Sequence, residues 1–75
     1  MYKRAGGDVM NAAKIGKKLA TLRGDKSQME VAEAVEISIS ALSMYERGER
    51  IPRDEIKVKL ANFFNSTVQA IFFED

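Results

Sequence analysis

The stretch ISISALSMYERGER, residues 37–50, decides the fold because it contains a helix start, a helix stop and an unusual outer face. Ser38 is a suitable N-cap, since its hydroxyl can accept a hydrogen bond from an unpaired N–H group in the first turn of a helix. Gly48 suits the other end, where helices often stop at a residue with positive φ. We therefore predict a helix over residues 39–47.

The outer face of this predicted helix carries side chains that are unusual on a solvated face. At about 100° per residue, Leu42 and Tyr45 fall on the same side and should be buried. The rest of the helix carries Ser40, Ser43, Met44 and Arg47, with Ile39 and Ala41 on the flanks. Lys, Glu and Gln are better helix formers and would be the usual choice there.

Small hydroxyls and methyl-bearing groups suit close approach to base edges in the major groove of DNA. A serine can donate or accept a hydrogen bond, an isoleucine or methionine can contact a thymine methyl, and an arginine can reach guanine or phosphate. The residue types alone also allow a second interpretation, in which Ser40 and Ser43 are indifferent surface residues and Met44 packs against a neighbour.

Length and composition limit the possible chemistry. The 75 residues form one domain at most. The absence of Cys and His removes disulfides, thiol nucleophiles, imidazole bases and the usual zinc ligands. Asp54 and Glu55 are adjacent in sequence and do not face each other as an acid–base pair would. We therefore predict no enzyme, no catalytic residue, no metal and no cofactor.

The charges are distributed unevenly along the chain. The net charge is only +1, but residues 1–26 carry seven basic and two acidic side chains, whereas residues 27–50 carry two basic and five acidic ones. An anionic partner must therefore be held by local features. The apolar runs are too short to span a membrane, and no apolar segment follows the basic start, so we predict a cytoplasmic location and no membrane partner.

Two helices are predicted before the opening stretch. Ile15, Leu19 and Leu22 form an apolar stripe on a first helix that ends near Arg23. A Ser-x-x-Glu capping box at residues 27–30 starts the second helix, which runs to about residue 35. This second helix should bury Val31, Ala32 and Val35. Only about three residues separate it from the next helix, as in a helix-turn-helix.

Two more helices are predicted after the opening stretch. Pro52 can open a fourth helix at or near its first turn, and Asn65 can end it with positive φ. Its core side should carry Ile56, Leu60, Ala61 and Phe64. Ser66 or Thr67 then caps a short fifth helix whose buried residues should be Val68, Ile71 and Phe72.

Five segments carry a resemblance to a known family: IGKKLATLR (15–23), SQMEVAEAVEIS (27–38), SALSMYERGERIP (40–52), LANFFN (60–65) and IFF (71–73). In this order and spacing, the sequence resembles the helix-turn-helix family of phage Cro and C repressors and their bacterial Xre-like relatives. The resemblance covers roughly residues 12–73. It implies an all-α, compact, five-helix, lambda-repressor-like DNA-binding domain over residues 11–75, preceded by a flexible basic tail at residues 1–10.

The resemblance also implies roles for individual residues. The expected DNA base contacts are Ile39, Ser40, Ser43 and Met44. The expected DNA backbone contacts are Gln28, Arg47, Arg50 and Arg53, although the arginines could equally be solvated charges. Arg23 and Glu46 match a pair that forms a structural salt bridge in many relatives.

This sequence departs from the family pattern in three ways. The turn before residue 27 is two residues shorter than usual, although the spacing from Gln28 onward is kept. Glu36 stands where the family usually has glycine, so a glutamate is expected to adopt positive φ, at a cost on the order of 1 kcal/mol. The expected base-reading face lacks Gln and Asn, so it should depend on apolar and hydroxyl contacts or on DNA shape.

The function implied by the resemblance is that of a sequence-specific regulator of transcription that binds double-stranded DNA. A repressor acting as a homodimer on a palindromic operator fits this function. Phe63 and Phe73 exceed what a small core needs, so they could form a dimer patch or be buried within the monomer. The alternative is a protein-interaction module or an antitoxin, with the same fold and weak or no autonomous DNA binding.

Overall fold

The computed structural model describes residues 11–74, and these form five helices. They are α1 (Ala12–Arg23), α2 (Gln28–Val35), α3 (Ile39–Glu46), α4 (Asp54–Phe63) and α5 (Val68–Phe72). The predicted all-α class and the predicted order of helices are confirmed. The predicted tail at residues 1–10 lies outside the described residues.

Side-chain caps explain where most of the helices begin. The hydroxyls of Ser27, Ser38 and Thr67 each accept a hydrogen bond, at 3.0 Å, from the backbone N–H three residues later. Asn11 caps α1 in the same way, at 3.1 Å. Each bond satisfies one of the N–H groups that a helix start leaves without a partner.

The fourth helix begins later than the sequence suggested. Its first residue is Asp54 and its N-cap is Arg53, which makes no side-chain capping bond. Pro52 was predicted at or near the first turn, but it lies in the preceding loop and is fully buried. The carboxylates of Asp54 and Glu55 in the first turn favour this start, because they interact well with the positive end of the helix dipole.

Three of the helices end in the same kind of turn. Glu36, Gly48 and Asn65 follow α2, α3 and α4 with φ of 63°, 75° and 56°. The next residue then donates its N–H to a carbonyl five residues earlier: Ile37 to Ala32 at 2.9 Å, Glu49 to Met44 at 2.9 Å and Ser66 to Ala61 at 2.8 Å. This is the Schellman motif, and it pairs helix carbonyls that would otherwise lack partners. Because of it, α3 ends at Glu46, one residue earlier than predicted.

All five helices contribute side chains to the core. Leu19 of α1, Val31 of α2, Leu42 of α3 and Leu60 of α4 have no exposed surface. Around them lie the other buried apolar residues: Ile15, Ala32, Val35, Tyr45, Ala61, Ile71 and Phe72. Ile56, Phe63, Phe64 and Val68 are only partly buried against this cluster.

The exposure of three apolar side chains can be compared with the predicted burial pattern. Leu22 was predicted on the buried stripe of α1 but is 39% exposed. It lies at an open groove between α1 and α5, where Ala70 and Ile71 form the other wall. Phe73 is 54% exposed, whereas Phe63 packs partly buried against the core and edge-on to Phe64.

The contact between α1 and α3 depends on a glycine within α1. A Cβ atom at Gly16 would lie 2.4 Å from the carbonyl oxygen of Glu46 and 2.7 Å from that of Tyr45. Such distances are far below van der Waals contact and involve backbone atoms that cannot rotate away. Gly16 therefore lets the end of α3 rest directly on the backbone of α1.

We expect Glu36→Gly to raise the free energy of unfolding by about 0.5–1 kcal/mol, because glycine takes positive φ without steric cost. The substitution also removes an exposed ion pair with Lys59, which should cost less than this gain. Urea denaturation would measure the change.

Asn65→Gly is the matched control for this prediction, since it alters the same position of the same motif. Asparagine already tolerates the left-handed conformation, so the gain at residue 65 should be smaller. Equal gains at both positions would contradict the assignment of backbone strain to Glu36.

Candidate nucleic-acid interface

One side of α3 is buried in the core, and the other side is accessible to solvent. Leu42 has no exposed surface and Tyr45 is 7% exposed, so both are buried as predicted. The residues expected to contact bases remain accessible to different degrees. Ile39 and Ser40 are exposed, whereas Ser43 and Met44 are half-buried. The structure thus brings these four side chains to the part of α3 that does not enter the core.

An ion pair fixes the C-terminal end of α3 to the end of α1. The Arg23 guanidinium donates through Nε to Glu46 Oε2 at 2.7 Å and through Nη2 to Glu46 Oε1 at 3.0 Å. This two-bond geometry is the strong form of an arginine–carboxylate contact. The Glu46 side chain is only 8% exposed and that of Arg23 is 23% exposed. Arg23 also donates through Nη1 to the carbonyl of Lys26, in the turn before α2.

Gln28 is part of the same cluster. Its side-chain amide donates from Nε2 to Glu46 Oε1 at 3.0 Å. Gln28 is the first residue of α2, so the Glu46 carboxylate connects the ends of α1 and α3 with the start of α2. The sequence suggested a DNA backbone contact for Gln28 but not this bond. A phosphate would have to use the other N–H of the amide, or displace the bond to Glu46.

The environment of Glu46 keeps its side chain ionised. Burial raises the pKa of Glu46, but hydrogen bonds from Arg23 and Gln28 and the positive charge of Arg23 outweigh this effect. The net pKa of Glu46 is therefore lowered from its usual value. The same pair raises the pKa of Arg23, chiefly through the hydrogen bond to Glu46.

Arg47 lies at the C-cap of α3 and is already engaged by other side chains. It donates through Nε to Glu49 Oε2 at 2.9 Å and through Nη2 to Glu49 Oε1 at 3.0 Å. Its Nη1 donates to the hydroxyl of Ser43. Both members of the ion pair are roughly half exposed, so solvent has access to it. The expected backbone contact Arg47 and the expected base contact Ser43 are thus directly connected.

The remaining cations near α3 differ in how they are paired. Arg50 is exposed and takes part in none of the ion pairs between described residues. Arg53 is 78% exposed and lies 3.7 Å from Glu55, a loose contact at the surface. Lys59 on α4 donates to Glu36 at 2.9 Å. The carboxylate of Glu36, in the turn between α2 and α3, is therefore paired with the ammonium of Lys59.

Three important residues were not identified from the sequence. Gly16 could have been flagged, because a glycine within a helical pattern often marks a close approach. Glu49 gave no signal, since only the folded turn brings it to Arg47. Lys57 is 7% exposed on α4, where its ammonium lies 3.3 Å from Asp54 and faces the rings of Phe72 and Phe73 at 5.9 and 5.4 Å.

Comparison with known families decides the assignment of this arrangement. The model of the Cro/C1-type, Xre-like helix-turn-helix family matches residues 17–71, which span most of the chain and all of α2 to α4. The chain belongs to the Cro/C1-type helix-turn-helix family. No curated protein and no solved structure matches it significantly.

Membership of this family indicates the general function of the domain. The Cro/C1-type family consists of regulators that bind double-stranded DNA, and it is a regulatory family, not an enzymatic one. In this member, α2 and α3 are the two helices of the motif and residues 36–38 are the turn. Among residues 11–74, the longest helix has 12 residues, and none is long and apolar enough to cross a bilayer.

We expect Glu46→Gln to lower the free energy of unfolding by about 3 kcal/mol at pH 7, because Arg23 then keeps a partly buried charge without its counter-ion. The pKa of Glu46 is depressed in the folded state, so its carboxylate contributes stability above the unfolded pKa of about 4.3. That contribution is lost as the pH falls through the folded pKa. Urea denaturation at pH 7 and at pH 3 should therefore show the difference from wild type shrinking in acid.

Glu33→Gln provides the control, because it removes an exposed carboxylate from α2. Its stability should follow that of the wild type at both pH values. A constant gap between Glu46→Gln and wild type from pH 7 to pH 3 would contradict an electrostatic role for Glu46.

Proposed function

We propose that this chain is a sequence-specific regulator of transcription that acts as a homodimer and represses by occupying a palindromic operator. The observation that carries the proposal is the outer face of α3. This helix is fixed by Leu42 and Tyr45 on its buried side. Elsewhere it offers small hydroxyl and methyl-bearing groups that suit the major groove better than bulk solvent.

The proposed base contacts come from Ile39, Ser40, Ser43 and Met44. Ile39 is 44% exposed and stands in the first turn of α3, the part of a recognition helix that usually meets base edges. Its branched side chain suits the methyl group of thymine. The hydroxyls of Ser40 and Ser43 can donate to or accept from either kind of base pair. Sequence preference is therefore expected to lean on apolar contacts and DNA shape.

The proposed DNA backbone contacts come from Gln28, Arg47, Arg50 and Arg53. Gln28 stands at the start of α2, where unpaired N–H groups and the helix dipole also favour a phosphate. Arg50 and Arg53 are exposed and lie in the loop between α3 and α4. Such contacts fix the register of the protein on DNA without reading sequence.

A homodimer fits both the size of the domain and its surface. One recognition helix covers few base pairs, whereas two helices about 34 Å apart would read two half-sites one helical turn apart. Phe73 is 54% exposed and Leu22 is 39% exposed, so a second copy of the chain would have apolar side chains to cover. We further propose that the protein acts in the cytoplasm, where its DNA target would be found.

The pairing of surface charges favours a second candidate function. Arg47, Arg53 and Lys59 each lie beside a carboxylate, at 2.9, 3.7 and 2.9 Å. Paired cations attract phosphate less than free ones do. A protein-interaction module or an antitoxin with the same fold and weak autonomous DNA binding would fit these pairs.

Selection of binding sites from a random duplex library tests the proposal. Purified protein at near-physiological salt should enrich an inverted repeat whose half-sites are about one helical turn apart. Enrichment of a single unrepeated half-site would keep the DNA-binding function and reject the dimer. No enrichment would favour the interaction module.

We expect Met44→Ala to change the preference among enriched sequences, because Met44 is proposed to contact bases. Arg50→Ala is the comparison variant. It should weaken binding to all sequences and make the slope of log K against log salt shallower by about 1. Quantitative binding to several enriched duplexes would measure both effects. A uniform loss of affinity in Met44→Ala would reject the proposed base-reading face.

A further inference from the structure

Glu49 occupies the part of Arg47 that would bind a phosphate. The Nε and Nη2 groups of Arg47 form a planar fork, and both donate to the Glu49 carboxylate, at 2.9 and 3.0 Å. A phosphate on DNA is recognised by the same two-bond geometry. The free protein therefore holds an internal carboxylate where the DNA backbone would bind.

The backbone places Glu49 there. Gly48 has φ of 75°, and this turn lets the Glu49 N–H donate to the carbonyl of Met44 at 2.9 Å. The adjacent N–H of Gly48 donates to the carbonyl of Tyr45 at 3.1 Å. The chain thus folds back at the end of α3, and Glu49 returns beside Arg47 two positions after it. The helix end therefore brings residue 49 back beside residue 47, where the two side chains pair.

The third contact of Arg47 leaves room for an exchange of partners. Its Nη1 donates to the Ser43 hydroxyl, on the edge of the guanidinium that Glu49 does not occupy. A phosphate could replace Glu49 on the Nε–Nη2 fork while Arg47 remains bonded to Ser43. The serine hydroxyl would then still have its own proton to donate to a base. Exchange at Arg47 and base contact at Ser43 are compatible.

We propose that Glu49 is an intramolecular competitor of the DNA backbone, which lowers affinity for DNA until a phosphate displaces it from Arg47. This inference rests on the proposed DNA-binding function and adds a residue that sets its strength. The competition is modest and reversible, because both side chains are about half exposed and water can replace either partner. It requires no change in the backbone.

The test is a double-mutant cycle on DNA affinity. Glu49→Gln removes the competing charge, Arg47→Ala removes the group competed for, and the double variant removes both. Glu49→Gln should raise affinity for a duplex of fixed sequence in either background, because a carboxylate near DNA is also repelled directly. With Arg47 present, the increase should be about twofold to fivefold larger, as expected for the release of one exposed ion pair.

Equal increases in the two backgrounds would overturn the proposal, because Glu49 would then act by repulsion alone. No increase in the Arg47 background would overturn it as well. Glu33→Gln, which removes an exposed carboxylate from α2, controls for the change in net charge. If the wild type and Glu49→Gln both fail to bind any duplex, the proposed DNA-binding function is wrong. That result can be told apart from equal affinity increases in the two backgrounds and from no increase with Arg47 present.

A second measurement needs no DNA. The Nε–H group of Arg47 donates to Glu49 in the free protein, so its NMR resonance should shift in Glu49→Gln. The Nε–H resonance of Arg23, which donates to Glu46, serves as the internal reference and should stay in place. An unchanged Arg47 resonance would show that the pair does not exist in solution and would reject the competition.

Discussion

The direct contact between the backbones of α1 and α3 at Gly16 is the constraint on which the interface depends. It places the last two carbonyls of α3 at a distance that admits no side chain on α1. The Arg23–Glu46 ion pair closes the same junction near the end of α1, and Gln28 connects it to the start of α2. A helix of eight residues has little stability of its own, so the orientation of α3 comes from this junction and from its buried side chains.

Most of the helix ends were predictable because local chemistry sets them. Ser27, Ser38 and Thr67 cap helices through bonds that span only three residues, and Gly48 and Asn65, which accept positive φ, follow α3 and α4. The conformational preference of the residue does not explain Glu36, because a glutamate adopts positive φ there where glycine would be usual. The turn between α2 and α3 is therefore imposed by packing on both sides and not by the preference of Glu36 itself.

The relations between helices were harder to predict because they depend on partners distant in sequence. Leu22 follows the apolar spacing of α1 perfectly, yet α5 leaves it at an open groove. Lys57 has a charged side chain but is buried, since its ammonium meets Asp54 and two aromatic rings. Periodicity identifies which face of a helix is apolar, but the neighbouring helix decides how much of that face is covered. The roles proposed for the residues on α3 remain predictions that rest on the family pattern.

The net charge of +1 does not by itself determine how strongly the protein attracts a DNA duplex, because many of its surface charges are paired. A paired Arg47 contributes little long-range attraction, because Glu49 cancels most of its field at distances much larger than the separation of the two charges. In a loosely docked, non-specific complex the pair would persist, and Arg47 would add almost nothing to affinity. In a closely docked complex a phosphate would replace Glu49. Arg47 would then contribute the binding free energy of its phosphate contact, reduced by the free energy of breaking its pair with Glu49. Competition within the protein would therefore weaken non-specific binding more than specific binding. The ratio of specific to non-specific affinity would rise, and this ratio decides how often a specific site is occupied among many competing sites.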